Sequence, residues 1–166
     1  MEFNADVVVL EKAPKVGGKT VWSAGAIMFD EDKTPQVETY EPFEESIRWL
    51  ADQGIEVKEM TLDVPWDGKQ IDTPDFAQHM VDRIESEGGD IRLETPFKEL
   101  IVDDEGEIAG AIAHEADGLI EIEAPNVILA AGGFNASEEL IERYITEHTD
   151  EIVIRGDPWS TGDGLL

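Results

Sequence analysis

The sequence predicts an α/β fold with an inserted antiparallel ribbon, and three observations carry that expectation. Val7-Val8-Val9-Leu10 and Val127-Ile128-Leu129-Ala130-Ala131 are continuous apolar runs, the pattern of parallel strands covered on both faces. Segments with apolar residues at helical spacing lie between and after these runs. Three short strand-like stretches separated by glycine-containing turns sit just before the second run. A chain of 166 residues, 41% of them apolar, suits one domain or one piece of a larger protein with a core of its own.

Taken in order, Ala5 to Glu11 reads as a short buried strand, and Pro14 stops its continuation. A glycine-punctuated stretch follows from Val16 to Ile27, then an acidic loop. The first helix carries Phe43, Ile47, Leu50 and Ala51 on one face and stops at Gly54. Residues 55–72 read as irregular, with Pro65 and Gly68 as breakers. Thr73-Pro74 supplies an N-cap and a first-turn proline for a second helix, in which Phe76, Met80 and Ile84 recur every fourth residue before Gly88-Gly89. Ile91 to Glu94 reads as a strand. Lys98–Val102, Glu107–His114 and Leu119–Glu123 read as a meander turned at Asp103-Asp104-Glu105-Gly106 and Ala116-Asp117-Gly118. The second buried strand, Val127 to Ala131, runs into Gly132-Gly133, after which Asn135 and Glu138 form a capping box for a third helix.

Charge sets limits on partners. Asp and Glu number 39 against 12 Lys and Arg, a formal net charge of −27 at pH 7. So anionic a surface excludes nucleic acid and anionic membranes as partners. The acids alternate with apolar residues, as in Leu119-Ile120-Glu121-Ile122-Glu123, which describes a folded domain with a carboxylate surface. With only seven lysines, the composition resembles that of proteins from salt-in halophiles. No cysteine is present, which removes disulfides, thiolate metal sites and a cysteine nucleophile. The apolar runs are far shorter than a membrane span of about 20 residues, and Met1 to Asp6 has neither the basic start nor the apolar stretch of a signal peptide, so the expected location is the cytoplasm without membrane insertion. His79, His114 and His148 share no metal-like spacing, so no metal site is expected.

Several residues invite a functional reading beside a structural one. Glu11, at the end of a parallel strand, either accepts hydrogen bonds from ribose hydroxyls or is a solvated carboxylate. The glycines between Gly17 and Gly25, with hydroxyls at Thr20 and Ser23, either let the backbone pass close to a phosphorylated or flat ligand or form a turn of small residues. Gly132-Gly133 admits the same two readings. Thr161-Gly162-Asp163-Gly164 either aims a carboxylate at a ligand hydroxyl or is a β-turn.

The order and spacing of these blocks resemble a known family. VVVLEK followed by GGKTVWSAGAI, then VILAAGGFN, then IRGDPWSTGDGLL are similar to the second strand and flavin loop, the "ATGGF" strand and the "TGDG" segment of the fumarate reductase and succinate dehydrogenase flavoproteins. That superfamily, the FAD-dependent oxidoreductase 2 family, includes tricarballylate dehydrogenase-like and ketosteroid dehydrogenase-like branches. The resemblance implies a partial Rossmann-like FAD-binding domain over residues 1–30 and 73–166, with a shortened cap or substrate insertion over 31–72. It implies hydride transfer between flavin N5 and a C–C bond next to a carboxylate or carbonyl, with a small carboxylate or ketone as substrate. It places Glu11 on the adenosine ribose, with Lys12 beside it among the cofactor-binding residues. Gly17, Gly18, Lys19, Thr20, Ser23, Ala24 and Gly25 would line the pyrophosphate, ribitol and isoalloxazine. Ala131 and Gly132 would pass near the cofactor, and Asp163 would contact it.

No G-x-G-x-x-G occurs in the 166 residues, and the resemblance implies that the family's catalytic residues lie beyond Leu166, so none is assigned. The expectation is a truncated, haloarchaeal-type fragment that lacks the first strand and its loop and binds FAD weakly or not at all alone. The alternative is a degenerate or split piece that acts only when another chain completes the flavin site. One prediction follows from charge alone. The thermal midpoint followed by circular dichroism rises steeply between about 0.1 M and about 1 M KCl, where the Debye length falls from about 10 Å to about 3 Å; a midpoint independent of salt contradicts it.

Overall fold

The computed structural model describes residues 5–28, 43–60, 68–153 and 155–165. The acidic loop, Pro65, Ile154, Leu166 and the first four residues lie outside them. In chain order the elements are β1 (Val8–Leu10), a 3-10 turn at Gly18–Trp22, β2 (Ala26–Met28), α1 (Phe43–Asp52), β3 (Lys58–Glu59), β4 (Gly68–Gln70), α2 (Thr73–Ser86), β5 (Asp90–Arg92), β6 (Phe97–Val102), β7 (Ile108–Glu115), β8 (Gly118–Glu123) and α3 (Glu138–Tyr144). The mixed α/β class is the one the sequence predicts. The chain divides into two compact units, Met1–Lys19 with Val81–Leu166, and Thr20–Met80.

In the first unit β1 and β5 pair in parallel, Val9 opposite Ile91. Backbone bonds extend the ladder beyond the strands: Glu11 N donates to Arg92 O and Thr95 N to Glu11 O. Among the described residues β1 pairs with β5 alone, and Val8 is exposed, so the run is half-covered rather than covered on both faces. The meander forms as expected, in the order β6-β7-β8, with Ala111 and Ala113 of the central strand buried. Its first turn is closed by Asp103, whose Oδ1 accepts from the backbone N–H groups of Glu105 and Glu107. A two-residue hairpin, Ala116-Asp117, closes the second.

Residues 127–131 depart from expectation. They form no strand; Ile128 is 91% exposed and Leu129 is exposed beside it. An apolar run makes a strand only where a neighbouring strand supplies hydrogen bonds and cover, and none among the described residues lies alongside. The cap of α3 also differs. Ser137, not Asn135, is the N-cap, its hydroxyl accepting from Leu140 N at 3.3 Å. Asn135 is taken by Lys19, whose Nζ donates to its Oδ1 at 2.8 Å. Leu140, only 2% exposed, and Ile141 anchor α3.

In the second unit the stretch expected to be irregular contributes β3 and β4, which with β2 make a small antiparallel sheet in the order β2-β4-β3. Gly68 is a buried strand residue rather than a breaker. On α1, Leu50 is buried while Ala51 is exposed. The helix ends as predicted at Gly54: Gly54 N donates to Ala51 O and Ile55 N to Leu50 O, the paired bonds of a Schellman end. The N-cap of α2 lies one residue before the expected Thr73: Asp72 Oδ1 accepts from Asp75 N at 3.0 Å. The buried Thr73 hydroxyl donates instead to Ser23 O. The C-terminal end of α2, which belongs to the first unit, has the same Schellman bonds, Gly88 N to Glu85 O and Gly89 N to Ile84 O.

Candidate functional site

Three stretches far apart in sequence meet in the first unit: the end of β1 with the loop after it, residues 131–136, and residues 157–164. Two backbone bonds join the second to the third, Ala136 N to Ser160 O at 2.9 Å and Gly162 N to Gly133 O at 3.2 Å. Asp157 shapes the third from within. It is buried, and its carboxylate accepts from Trp159 N and from the Ser160 hydroxyl. The first stretch is joined to the third by Lys12, whose Nζ donates to Thr161 Oγ1 and, at 2.7 Å, to Asp163 Oδ2. The Thr161 hydroxyl in turn donates to Asp163 Oδ1 at 2.6 Å.

The wall presents a definite chemistry. Glu11 turns its carboxylate onto its own loop, Oε1 accepting from Ala13 N at 2.8 Å. Partial burial pushes the Asp163 carboxyl upward. The hydrogen bonds from Lys12 and Thr161, with the Lys12 charge, outweigh that and hold it below the ordinary carboxylate range. Both acids are therefore acceptors suited to hydroxyl donors. Lys19 bonds to a neutral amide, so its positive charge remains available to an anion. Asn135 Nδ2 is buried with no hydrogen-bond partner, an orphaned donor beside that ammonium. A side chain at Gly132 would meet nothing within 4 Å, which leaves the backbone open to a ligand. Gly164 stands against Ala131, where an added Cβ would lie 3.4 Å from that methyl. The arrangement can hold a molecule that is both rich in hydroxyls and anionic.

Of the residues the sequence singles out, Glu11, Lys12, Gly17, Gly18, Lys19, Ala131, Gly132 and Asp163 all belong to this unit. Thr20, Ser23, Ala24 and Gly25 belong to the other. There Thr20 O accepts from Ser23 N, the Ser23 hydroxyl accepts from Gly25 N at 3.2 Å, and Ala24 O accepts from the Gln70 amide at 2.8 Å. Gly25 has a packing reason of its own, since a Cβ there would collide with the Ile71 carbonyl oxygen. Thr161 and Asn135 are the residues that sequence reasoning misses. Thr161 is flagged only by lying in the same short segment as Asp163.

Gly162 fixes how the third stretch seats. Its φ is +87°, and a Cβ would strike the Leu140 side chain and Phe134 Cβ. Gly88, with φ +88° and open space around it, isolates the backbone contribution. Gly88→Ala should cost about 1–3 kcal/mol of unfolding free energy, and Gly162→Ala distinctly more, in urea titrations at molar KCl; equal costs would remove the packing argument.

Residues 56–166 match the family model described as "FAD binding domain". An NADH:acrylate oxidoreductase of Vibrio harveyi is 33% identical over 134 residues, which cover 73% of this chain and 13% of that protein. An NADH:fumarate oxidoreductase of Klebsiella pneumoniae (strain 342) is 22% identical, covering 98% of this chain and 21% of its own length. The chain thus spans a small part of the curated relatives it matches. Among solved structures, the open conformation of a flavocytochrome c3 fumarate reductase superposes with a TM-score of 0.79 at 22% identity, over 96% of this chain and 35% of that one. The 3-ketosteroid-delta4-(5alpha)-dehydrogenase of Rhodococcus jostii RHA1 gives 0.77 at 18% identity, over 99% and 48%. The match over 56–166 takes in two of the three stretches of the wall, and with it the chain belongs to the FAD binding domain family, whose cofactor is FAD.

Proposed function

We propose that this chain is the flavin-binding part of an FAD-dependent oxidoreductase of the fumarate reductase and succinate dehydrogenase flavoprotein type. The single observation that carries the reading is the meeting of Glu11, Lys19, Gly132 and Asp163 in one unit, held by backbone bonds and by Lys12. The residues suit the cofactor. Glu11 would take the adenosine ribose hydroxyls. Lys19, with Gly17 and Gly18, would face the pyrophosphate. Asp163, with Ala131 and Gly132, would border the ribitol. Thr20, Ser23, Ala24 and Gly25 are assigned to the flavin side. In this reading 1–30 and 73–166 are FAD-binding, and 31–72 is a cap.

When bound, FAD supplies hydride acceptance or donation at N5, toward a C–C bond beside a carboxylate or carbonyl of a small substrate. The chain's own part is to bind, orient and shield that cofactor, and no residue here is assigned to protonation of substrate. The names of the acrylate and fumarate oxidoreductases support a small unsaturated acid as the substrate class. The carboxylate surface supports a cytoplasm of molar salt, of haloarchaeal type, as the working medium.

Incompleteness of the site in these 166 residues belongs to the same reading. Exposed Ile128 and Leu129, and β1 paired on one side among the described residues, favour a further length of polypeptide lying against them, from this or another chain. Titration of the chain with FAD in about 1 M KCl, where screening reaches about 3 Å, tests both parts. The expected result is a shifted flavin absorption band that grows well beyond micromolar FAD. Saturation at micromolar FAD contradicts the incompleteness. No shift at millimolar FAD, with circular dichroism reporting a folded chain, contradicts the flavin site itself.

A further inference from the structure

Lys12 lies among the residues expected to touch the cofactor, yet its ammonium is spent inside the protein. We propose that Lys12 is a positioning residue: it latches the 161–164 turn to the end of β1 and presents the Asp163 carboxylate as a fixed acceptor for a hydroxyl of FAD, without touching the cofactor. The inference rests on the flavin reading of the wall.

Two of the three ammonium donors of Lys12 are taken, by Thr161 Oγ1 and Asp163 Oδ2. The Thr161 hydroxyl passes its proton toward Asp163 Oδ1, so the three groups close a ring of charge-assisted bonds. The side chains of Lys12 and Asp163 are 18% and 27% exposed, partly withdrawn from water, so the pair is neutralised before any ligand arrives. A lysine meant for a phosphate keeps its charge uncompensated, as Lys19 does against a neutral amide. A carboxylate, by contrast, offers about four lone-pair sites. Two here are occupied by Lys12 and Thr161, and acceptor capacity remains. Such a group favours a hydroxyl and repels a phosphate. The ring spans 149 to 151 residues of sequence, so the direction in which Asp163 points is set from the far end of the chain.

The experiment is a double-mutant cycle on the full chain in molar KCl, with FAD affinity read by equilibrium dialysis up to millimolar cofactor. Lys12→Met and Asp163→Asn should each weaken binding about tenfold, the loss of a charge-assisted hydrogen bond. The double variant should bind no more weakly than Asp163→Asn alone, and Lys12→Arg should retain most of the affinity. If Lys12→Met does not fold, Thr161→Val, which removes two of the three bonds of the ring and leaves the Lys12–Asp163 pair, takes its place in the cycle. Losses that multiply in the double variant mean that Lys12 meets FAD directly, and overturn the proposal. So does a Lys12→Met variant that is less stable yet binds FAD as before, because Lys12 is then structural only. Absence of wild-type binding at millimolar FAD overturns the flavin reading and with it the presentation of Asp163. Urea unfolding of the unliganded variants tells that outcome from failure of the latch. A latch lowers the midpoint on Lys12→Met in the wild-type background and not in the Asp163→Asn background, whereas equal lowering in both overturns it.

Discussion

An ammonium group partly withdrawn from water cannot be left unpaired, and in this protein that constraint joins the two ends of the sequence. Lys12 follows a strand three residues long, and its partners Thr161 and Asp163 lie 149 and 151 residues further on. Lys12 and Thr161 meet the Asp163 charge, and the buried Asp157 carboxylate accepts from Trp159 N and the Ser160 hydroxyl, so the segment 157–164 lies against 131–136 with both carboxylates hydrogen-bonded. Gly162 then seats over Leu140 and Phe134, and its N–H reaches Gly133 O. Residues beside this junction keep their functional groups for other work: Glu11 at the strand end, Lys19 on a neutral amide, and the open backbone at Gly132.

The same accounting of charge explains how a chain of net charge −27 can receive an anionic cofactor. Most of its surface repels a diphosphate, and at about 0.1 M salt that field extends about 10 Å. Lys12 is cancelled by Asp163, whereas Lys19 bonds to the neutral Asn135 amide and meets no carboxylate among the described residues. Molar salt removes the long-range repulsion and leaves short hydrogen bonds to decide binding. In the proposed reading an acidic surface and an anionic cofactor are compatible, because the acids of the wall would meet hydroxyls and Lys19 the phosphates.

Much of the fold was legible in the sequence because its signals are local. The turns at Asp103–Gly106 and Ala116-Asp117 follow from turn chemistry, and the Schellman ends at Gly54 and Gly88 follow from glycine placement. Sites of competition were not legible. Asn135 and Ser137 are both good caps, and Ser137 takes the role because Lys19, 116 residues away, claims the Asn135 amide. Strands β2, β3 and β4 are two or three residues long, too short to show any period. The run at 127–131 has the composition of a buried strand, but composition does not supply the neighbour a strand needs. For the candidate site, motif order singled out Glu11, Lys19, Gly132 and Asp163, which fall in one unit. The pairing of Lys12 with Asp163, and the part of Thr161 in it, depend on a long-range contact that no local pattern encodes.

Three stretches distant in sequence meet in one unit, and in the proposed reading FAD lies against them. The most direct measurement is a ¹⁵N-¹H correlation spectrum of the chain in molar KCl as FAD is added, which reports weak binding residue by residue. Shifts concentrated at the amides of residues 11–12, 17–19, 131–133 and 161–164 are expected. Shifts confined to the β6-β7-β8 ribbon, or none at millimolar FAD, would contradict it.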